Sequence, residues 1–234
     1  MMRYRHEFKY IINYQDYTLI KLRLKCLLSV DAHADSDDSY SVRSLYFDDY
    51  YNHAYHDKYA GTFKRAKYRI RIYNHSDRTI NLEKKNKTGQ YNCKQTAPMT
   101  KAEVYAVLQG NYELLLKSSN NLLRVFYHEC VSNLMRPRVV VDYEREPYIM
   151  EAGDVRITFD KNIRAGVEGF DIFNDAMPTI ETLPPGLLIM EAKFTEFLPS
   201  VLRKILPSSD SEYTAVSKYI LCCDMTLHRR CSHF

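Results

Sequence analysis

Residues 64–94 concentrate positive charge: ten Lys or Arg stand against two acids, Asp77 and Glu83, a local net charge of +8 in a chain whose total is only +4. The charge has a register. Arg65, Lys67, Arg69 and Arg71 alternate with Ala66, Tyr68, Ile70 and Ile72, the period of a β-strand with one charged and one apolar face. At about 3.3 Å per residue, the four cations extend over roughly 20 Å. Such a row repels itself, so it is tolerated only beside water, acidic partners or a polyanionic ligand. A solvated face paired with acids is the plain alternative.

The pattern recurs along the chain. Arg5, Glu7 and Lys9 alternate with His6, Phe8 and Tyr10; residues 79–87 put Asn81, Glu83, Lys85 and Lys87 on one side; 154–160 put Arg156, Thr158 and Asp160 together; and 187–194 do the same with Glu191 and Lys193. With 40–48, 65–71 and 138–148, at least seven strands are expected, several with a charged polar face. Helices are expected over 16–28, from the Thr100–Glu103 capping box, over 120–135, and more briefly over 199–205 and 212–221. Residues 31–39 read as an acidic loop. An open sheet could show its charged face to bulk water, whereas closure into a barrel would make a tunnel with a charged interior. Small barrels usually fill their interior with apolar side chains, so a charged interior implies a charged occupant.

Composition narrows the rest. A 234-residue chain that is 45% hydrophobic builds a substantial core. No run approaches the roughly 20 apolar residues of a membrane span, and the N-terminal residues lack a signal-peptide core, so a cytoplasmic location is expected. Six scattered cysteines without a C-x-x-C pair suit a reducing compartment. Cys222, Cys223, His228, Cys231 and His233 gather near the end, at spacings that fit no familiar zinc pattern.

Eight motifs follow one another in order: Arg5-His6-Glu7-Phe8-Lys9-Tyr10, Arg43-Ser44-Leu45-Tyr46-Phe47-Asp48, Arg65-Ala66-Lys67-Tyr68-Arg69-Ile70-Arg71, Leu82-Glu83-Lys84-Lys85, Arg136-Pro137-Arg138, Arg156-Ile157-Thr158-Phe159-Asp160, Glu191-Ala192-Lys193 and Ser217-Lys218-Tyr219. In this order they resemble the VTC domain, the polyphosphate-polymerase branch of the triphosphate tunnel metalloenzymes, over about residues 3–221. The resemblance implies an α+β fold, an antiparallel β-barrel tunnel with helices packed outside, occupying residues 1–221 and followed by a tail, 222–234. It implies transfer of the γ-phosphoryl group of ATP to a growing polyphosphate chain. Lys9, Arg69, Arg71, Lys85, Arg156, Lys193 and Lys218 would be the catalytic set, with Arg65, Lys67, Lys94 and Arg145 as further phosphate ligands. Glu191, with Glu7 and Glu83, would hold Mn²⁺ or Mg²⁺.

Hydrolytic and cyclase relatives typically begin Glu-x-Glu-x-Lys, and Arg5 stands at the first glutamate. That exchange removes a metal ligand and adds a phosphate ligand, which favours the polymerase branch. A triphosphatase of the same fold and a non-catalytic polyphosphate-binding module are the competing readings. ATP and polyphosphate are the expected partners, with a separate membrane protein to receive the chain. No nucleic-acid motif appears and no nucleic-acid partner is expected.

Overall fold

The computed structural model describes residues 6–32, 34, 37–89, 91–195, 197–207 and 216–231, with side chains as far as Leu227. Arg5 and the 212–215 part of the expected last helix lie outside the described residues, as do the side chains of His228, Cys231 and His233. Ten strands form one sheet. They are β1 (His6–Asn13), β2 (Ser29–Val30), β3 (Tyr40–Asp48), β4 (Lys64–Tyr73), β5 (Ser76–Thr88), β6 (Tyr91–Pro98), β7 (Arg136–Met150), β8 (Val155–Gly166), β9 (Thr179–Glu181) and β10 (Leu187–Phe194). The main path runs β1-β10-β8-β7-β3-β4-β5-β6, antiparallel at every pairing, with β2 on β7 and β9 on β8.

Local chemistry sets the element ends. Asn74 and His75, at φ 48° and 52°, form the two-residue turn between β4 and β5, where both central positions of a tight hairpin turn are left-handed. Helix α1 (Tyr14–Lys25) starts where the Asn13 side chain accepts from the Asp16 amide at 2.8 Å. The Thr100–Glu103 capping box opens α3 (Lys101–Leu108) as expected. Helix α5 (Asn121–Ser132) is capped by Asn120.

The outward residues of the strands feed two cores. Ile70, Ile72, Leu82 and Val140 pack under α3, α4 (Glu113–Leu116) and α5 through Val104, Val107, Leu115 and Phe126. Tyr10, Ile12, Phe159, Met190 and Ala192 pack under α1 and α6 (Ser200–Arg203) through Ile20, Leu24 and Leu202. Phe47 and Phe159, each 1% exposed or less, are core residues.

Two features depart from a barrel with every helix outside. The edge strands β1 and β6 do not pair with each other among the described residues, and side chains span the seam instead: Lys85 and Asn92 donate to Glu7 at 3.0 and 3.5 Å. The tunnel-like sheet is therefore not closed by backbone hydrogen bonds among the described residues. Helix α7 (Lys218–Cys231) packs on the opposite face from the other cores, setting Tyr219, Ile220, Cys222 and Cys223 against Val42, Val139, Val141 and Ile189. The tail expected from residue 222 thus begins inside this helix. Helix α2 (His53–Tyr59), which the sequence did not announce, is tied to it: Tyr55 and Tyr59 donate to Asp224 at 2.6 and 2.7 Å. Asp48 accepts from the Ala54 and Tyr55 amides and from the Tyr219 hydroxyl. No helix among the described residues is long and apolar enough to cross a membrane.

Candidate functional site

The inner face carries the alternate residues of the eight strands of the main path, and most of their cations fall into groups organised by buried carboxylates. The first centres on Glu83 of β5, whose side chain is 2% exposed. It accepts from Arg69 Nε at 2.7 Å and Lys94 Nζ at 2.9 Å, with Arg71 4.0 Å away. Burial alone would raise the Glu83 carboxyl, but the charges of Arg69, Arg71 and Lys94 overcome it and hold the group well below its ordinary value. Hydroxyls complete the arginine shells: Arg69 donates to Tyr46 at 2.7 Å, and Arg71 to Ser44 and Tyr143 at 3.0 and 3.1 Å.

The second group joins β1, β5, β7, β8, β10 and α7. Glu191 accepts from Lys193 and Lys218, both at 2.8 Å, with Lys9 at 3.5 Å and Arg145 at 3.8 Å. Glu7 meets Lys85 at 3.0 Å, Lys9 at 3.4 Å and Lys193 at 3.8 Å. Burial works against ionisation of both carboxyls, and the surrounding lysines still depress them strongly. Asp160, fully buried, takes a bidentate pair from Arg145 at 2.7 and 2.7 Å and binds Lys218 at 2.5 Å. Sequence reasoning left Asp160 without a role, although it shares the face of Arg156 and Thr158. Arg145 and Lys218 are thereby held in place by a second carboxylate. Arg156 stands opposite Lys193 across the β8–β10 ladder and reaches Asp31 at 2.8 Å and the Tyr40 hydroxyl at 3.1 Å.

A third group has no carboxylate partner among the described residues. Lys67 reaches Ser217 Oγ at 3.3 Å and lies 4.5 Å from the Tyr219 ring centroid. Burial, reinforced by the charges of Lys9 and Lys58, pushes its ammonium down to about 7. Arg65 donates to the Thr62 carbonyl at 3.0 Å and pairs in register with Lys87, as Lys67 does with Lys85. Burial also lowers Lys85, to about 8, with Lys9 and Lys193 adding to the effect and Glu7 opposing it.

All the sequence-predicted cations thus reach the inner face or its rim, but the three expected metal carboxylates separate. Glu7 and Glu191 share Lys9 and Lys193, whereas Glu83 belongs to the arginine group. No cluster of three or more His, Cys, Asp or Glu suited to a metal occurs among the described residues. Arg43 lies outside the site: it is 2% exposed and bound to Asp142 at 2.7 Å and to the Asn174 carbonyl at 2.7 Å.

An antiparallel sheet curled around rows of arginine, lysine and buried glutamate is the architecture of the triphosphate tunnel class. The chain belongs to the VTC domain family, which matches residues 4–227. Two solved structures share the fold. A Hippeastrum protein, described as a candidate adenylyl cyclase with a dominant triphosphatase activity, is 14% identical with a TM-score of 0.57, over 96% of each chain. A Bacillus halodurans protein described as a candidate adenylate cyclase is 11% identical with a TM-score of 0.54, over 92% of this chain and 95% of its own. No curated protein matches in sequence.

Proposed function

We propose that this protein is a polyphosphate polymerase that transfers the γ-phosphoryl group of ATP to the end of a polyphosphate chain and releases ADP. The observation that carries the reading is the excess of cations over carboxylates on one concave face: among the described residues Lys9, Lys67, Arg69, Arg71, Lys85, Lys94, Arg145, Arg156, Lys193 and Lys218 meet Glu7, Glu83, Asp160, Glu191 and, at Arg156, Asp31. A chain of anionic phosphates relieves that repulsion. Family membership points the same way.

Phosphoryl transfer asks for in-line positioning and charge neutralisation rather than a covalent nucleophile. Arg69 and Arg71 offer planar forks to phosphate oxygens, while Lys9, Lys85 and Lys193 act as movable point charges. As phosphates arrive, they take over cations that Glu83, Glu7 and Glu191 neutralise beforehand. The acceptor oxygen of a chain end is already anionic, so no strong general base is required. Asp160 positions Lys218 and Arg145 without touching substrate.

The donor chemistry fits Mn²⁺ or Mg²⁺, hard ions that accept one or two carboxylates together with substrate oxygens and water. Glu7 and Glu191 are the pair that would hold the ion, which would neutralise charge on the transferred phosphoryl. A separate membrane protein that receives the product belongs to the same proposal.

The second reading, hydrolysis of a triphosphate, is favoured by the activity described for the Hippeastrum protein. Purified protein given ATP, Mn²⁺ and a short polyphosphate primer separates the two. The polymerase reading predicts a ladder of long chains with matching ADP, lost in Arg69→Ala and Glu191→Gln. Orthophosphate without a ladder assigns the protein to the triphosphatases.

A further inference from the structure

At the rim where β4 begins and β5 ends, a cleft of about 440 Å³ is lined by Lys58, Tyr59, Gly61, Thr62, Phe63, Arg65, Lys87 and Gly89. Its size falls in the about 300–1,000 Å³ range of small-ligand pockets. Two properties mark it out. Its three cations, like Lys67 on the next rung, form no ion pair with a carboxylate among the described residues, whereas Arg69, Lys9 and Lys193 deeper in all do. Burial and the charges of Arg65 and Lys9 lower the ammonium groups of Lys58 and Lys87, with Glu7 opposing the effect at Lys87, so the cleft favours an added anion.

The cleft also presents two aromatic rings, 61% exposed at Tyr59 and 66% at Phe63, and both are anchored. Tyr59 is held by its hydroxyl on Asp224 at 2.7 Å. Phe63 lies against Gly89, whose amide donates to the Phe63 carbonyl at 2.8 Å; a Cβ on Gly89 would stand 2.8 Å from the ring. Gly89 also has φ +57°, so glycine serves both the turn and the close approach of the ring. A polyphosphate chain has no use for anchored, exposed rings, but a nucleobase does. The cleft is continuous with the tunnel: the Arg65–Lys87 rung is followed on the same face by Lys67–Lys85 and then by Arg69–Glu83.

We infer that this cleft is the nucleoside subsite, in which the base stacks on Phe63 beside Tyr59. Lys58, Arg65 and Lys87 take the phosphates nearest the ribose, and the terminal phosphate points inward to Arg69. The inference rests on the proposed use of a nucleoside triphosphate. Stacking reads a π-face rather than base edges, so ATP and GTP bind within a few-fold of each other.

The test is calorimetric binding of ATP and of inorganic tripolyphosphate to the full chain and to Phe63→Ala, Phe63→Tyr and Gly89→Ala. Loss of one stacked base predicts a weakening of about fivefold or more for ATP in Phe63→Ala, with tripolyphosphate unchanged as the control for folding. Phe63→Tyr keeps ATP affinity, and Gly89→Ala, by displacing the ring, loses it selectively. Unchanged ATP affinity in Phe63→Ala, or equal weakening of both ligands, overturns the subsite and leaves the cleft a passage for the chain alone. A wild-type protein that binds tripolyphosphate but not ATP overturns the nucleoside subsite while sparing the phosphate tunnel; one that binds neither overturns both.

Discussion

Glu83→Gln separates two roles for a buried carboxylate, neutralising cations in the empty protein and holding substrate metal. In the structure Glu83 is 2% exposed at its side chain and compensates Arg69, at 17%, and Lys94, at 53%. Removing one partner of a buried pair costs about 3–5 kcal/mol. Solvent around Lys94 places this case near the lower end, about 3 kcal/mol. For a domain of this size that is a fall in Tm of about 6–12 °C. Phosphate reverses part of the loss, because in the variant it meets Arg69 and Lys94 with no carboxylate to displace. Tripolyphosphate at 100 times its Kd adds about 2.7 kcal/mol to a protein that binds it, and the Tm gain should be larger in Glu83→Gln than in wild type. Thermal melts in EDTA, with and without tripolyphosphate, read both effects free of metal. A variant that melts within about 2 °C of wild type, or gains no more from ligand, refutes the reasoning.

Three further outcomes follow from the same geometry. Lys67 titrates at about 7 and Lys85 at about 8 in the empty protein, and a bound polyanion raises both. Tripolyphosphate binding therefore takes up protons near neutral pH and weakens as pH rises from about 6 to 9, which calorimetry in buffers of different ionisation enthalpy detects; pH-independent affinity contradicts it. Arg43→Met leaves buried Asp142 with only His75, 3.6 Å away, as an ion-pair partner among the described residues and should destabilise the fold by about 3 kcal/mol, seen in urea melts, while the place of Arg43 on the outer face of the sheet leaves tripolyphosphate affinity of the folded protein unchanged. Because phosphate contacts displace counterions, affinity should fall by at least tenfold between about 50 and 200 mM salt; flat salt dependence would contradict an ionic tunnel.

Seven strands were legible because each repeats a two-residue alternation, and Arg65 to Arg71 is the clearest case; β2 and β9 are too short to show one, and β6, Tyr91–Pro98, is polar on both faces for most of its length. The cations of the inner face could be read from the same alternation together with motif order. Three further things were not legible. The seam between β1 and β6 depends on curvature accumulated over eight strands, and no local pattern encodes it. The inward packing of α7 depends on which face meets Tyr219 and Cys223, and an amphipathic helix looks the same packed on either side of a sheet. The division of carboxylates between Glu83 and the Glu7–Glu191 pair arises from contacts up to 207 residues apart in the chain, such as that from Lys9 to Val216, which fix where β1 and α7 meet. Asp160 was accessible to sequence reasoning, since its parity matches Arg156, but a carboxylate between two cations reads equally well as an ordinary ion pair.

The central claim is that the concave face receives a chain of phosphates. A crystal structure of the full chain with tripolyphosphate and Mn²⁺ tests it most directly. The account predicts phosphate density along Arg69, Arg71, Lys85, Lys193 and Lys9, with the anomalous manganese peak beside Glu7 and Glu191 rather than Glu83. Phosphate bound on the outer face, with Glu83, Glu7 and Glu191 still paired to their cations, would contradict it.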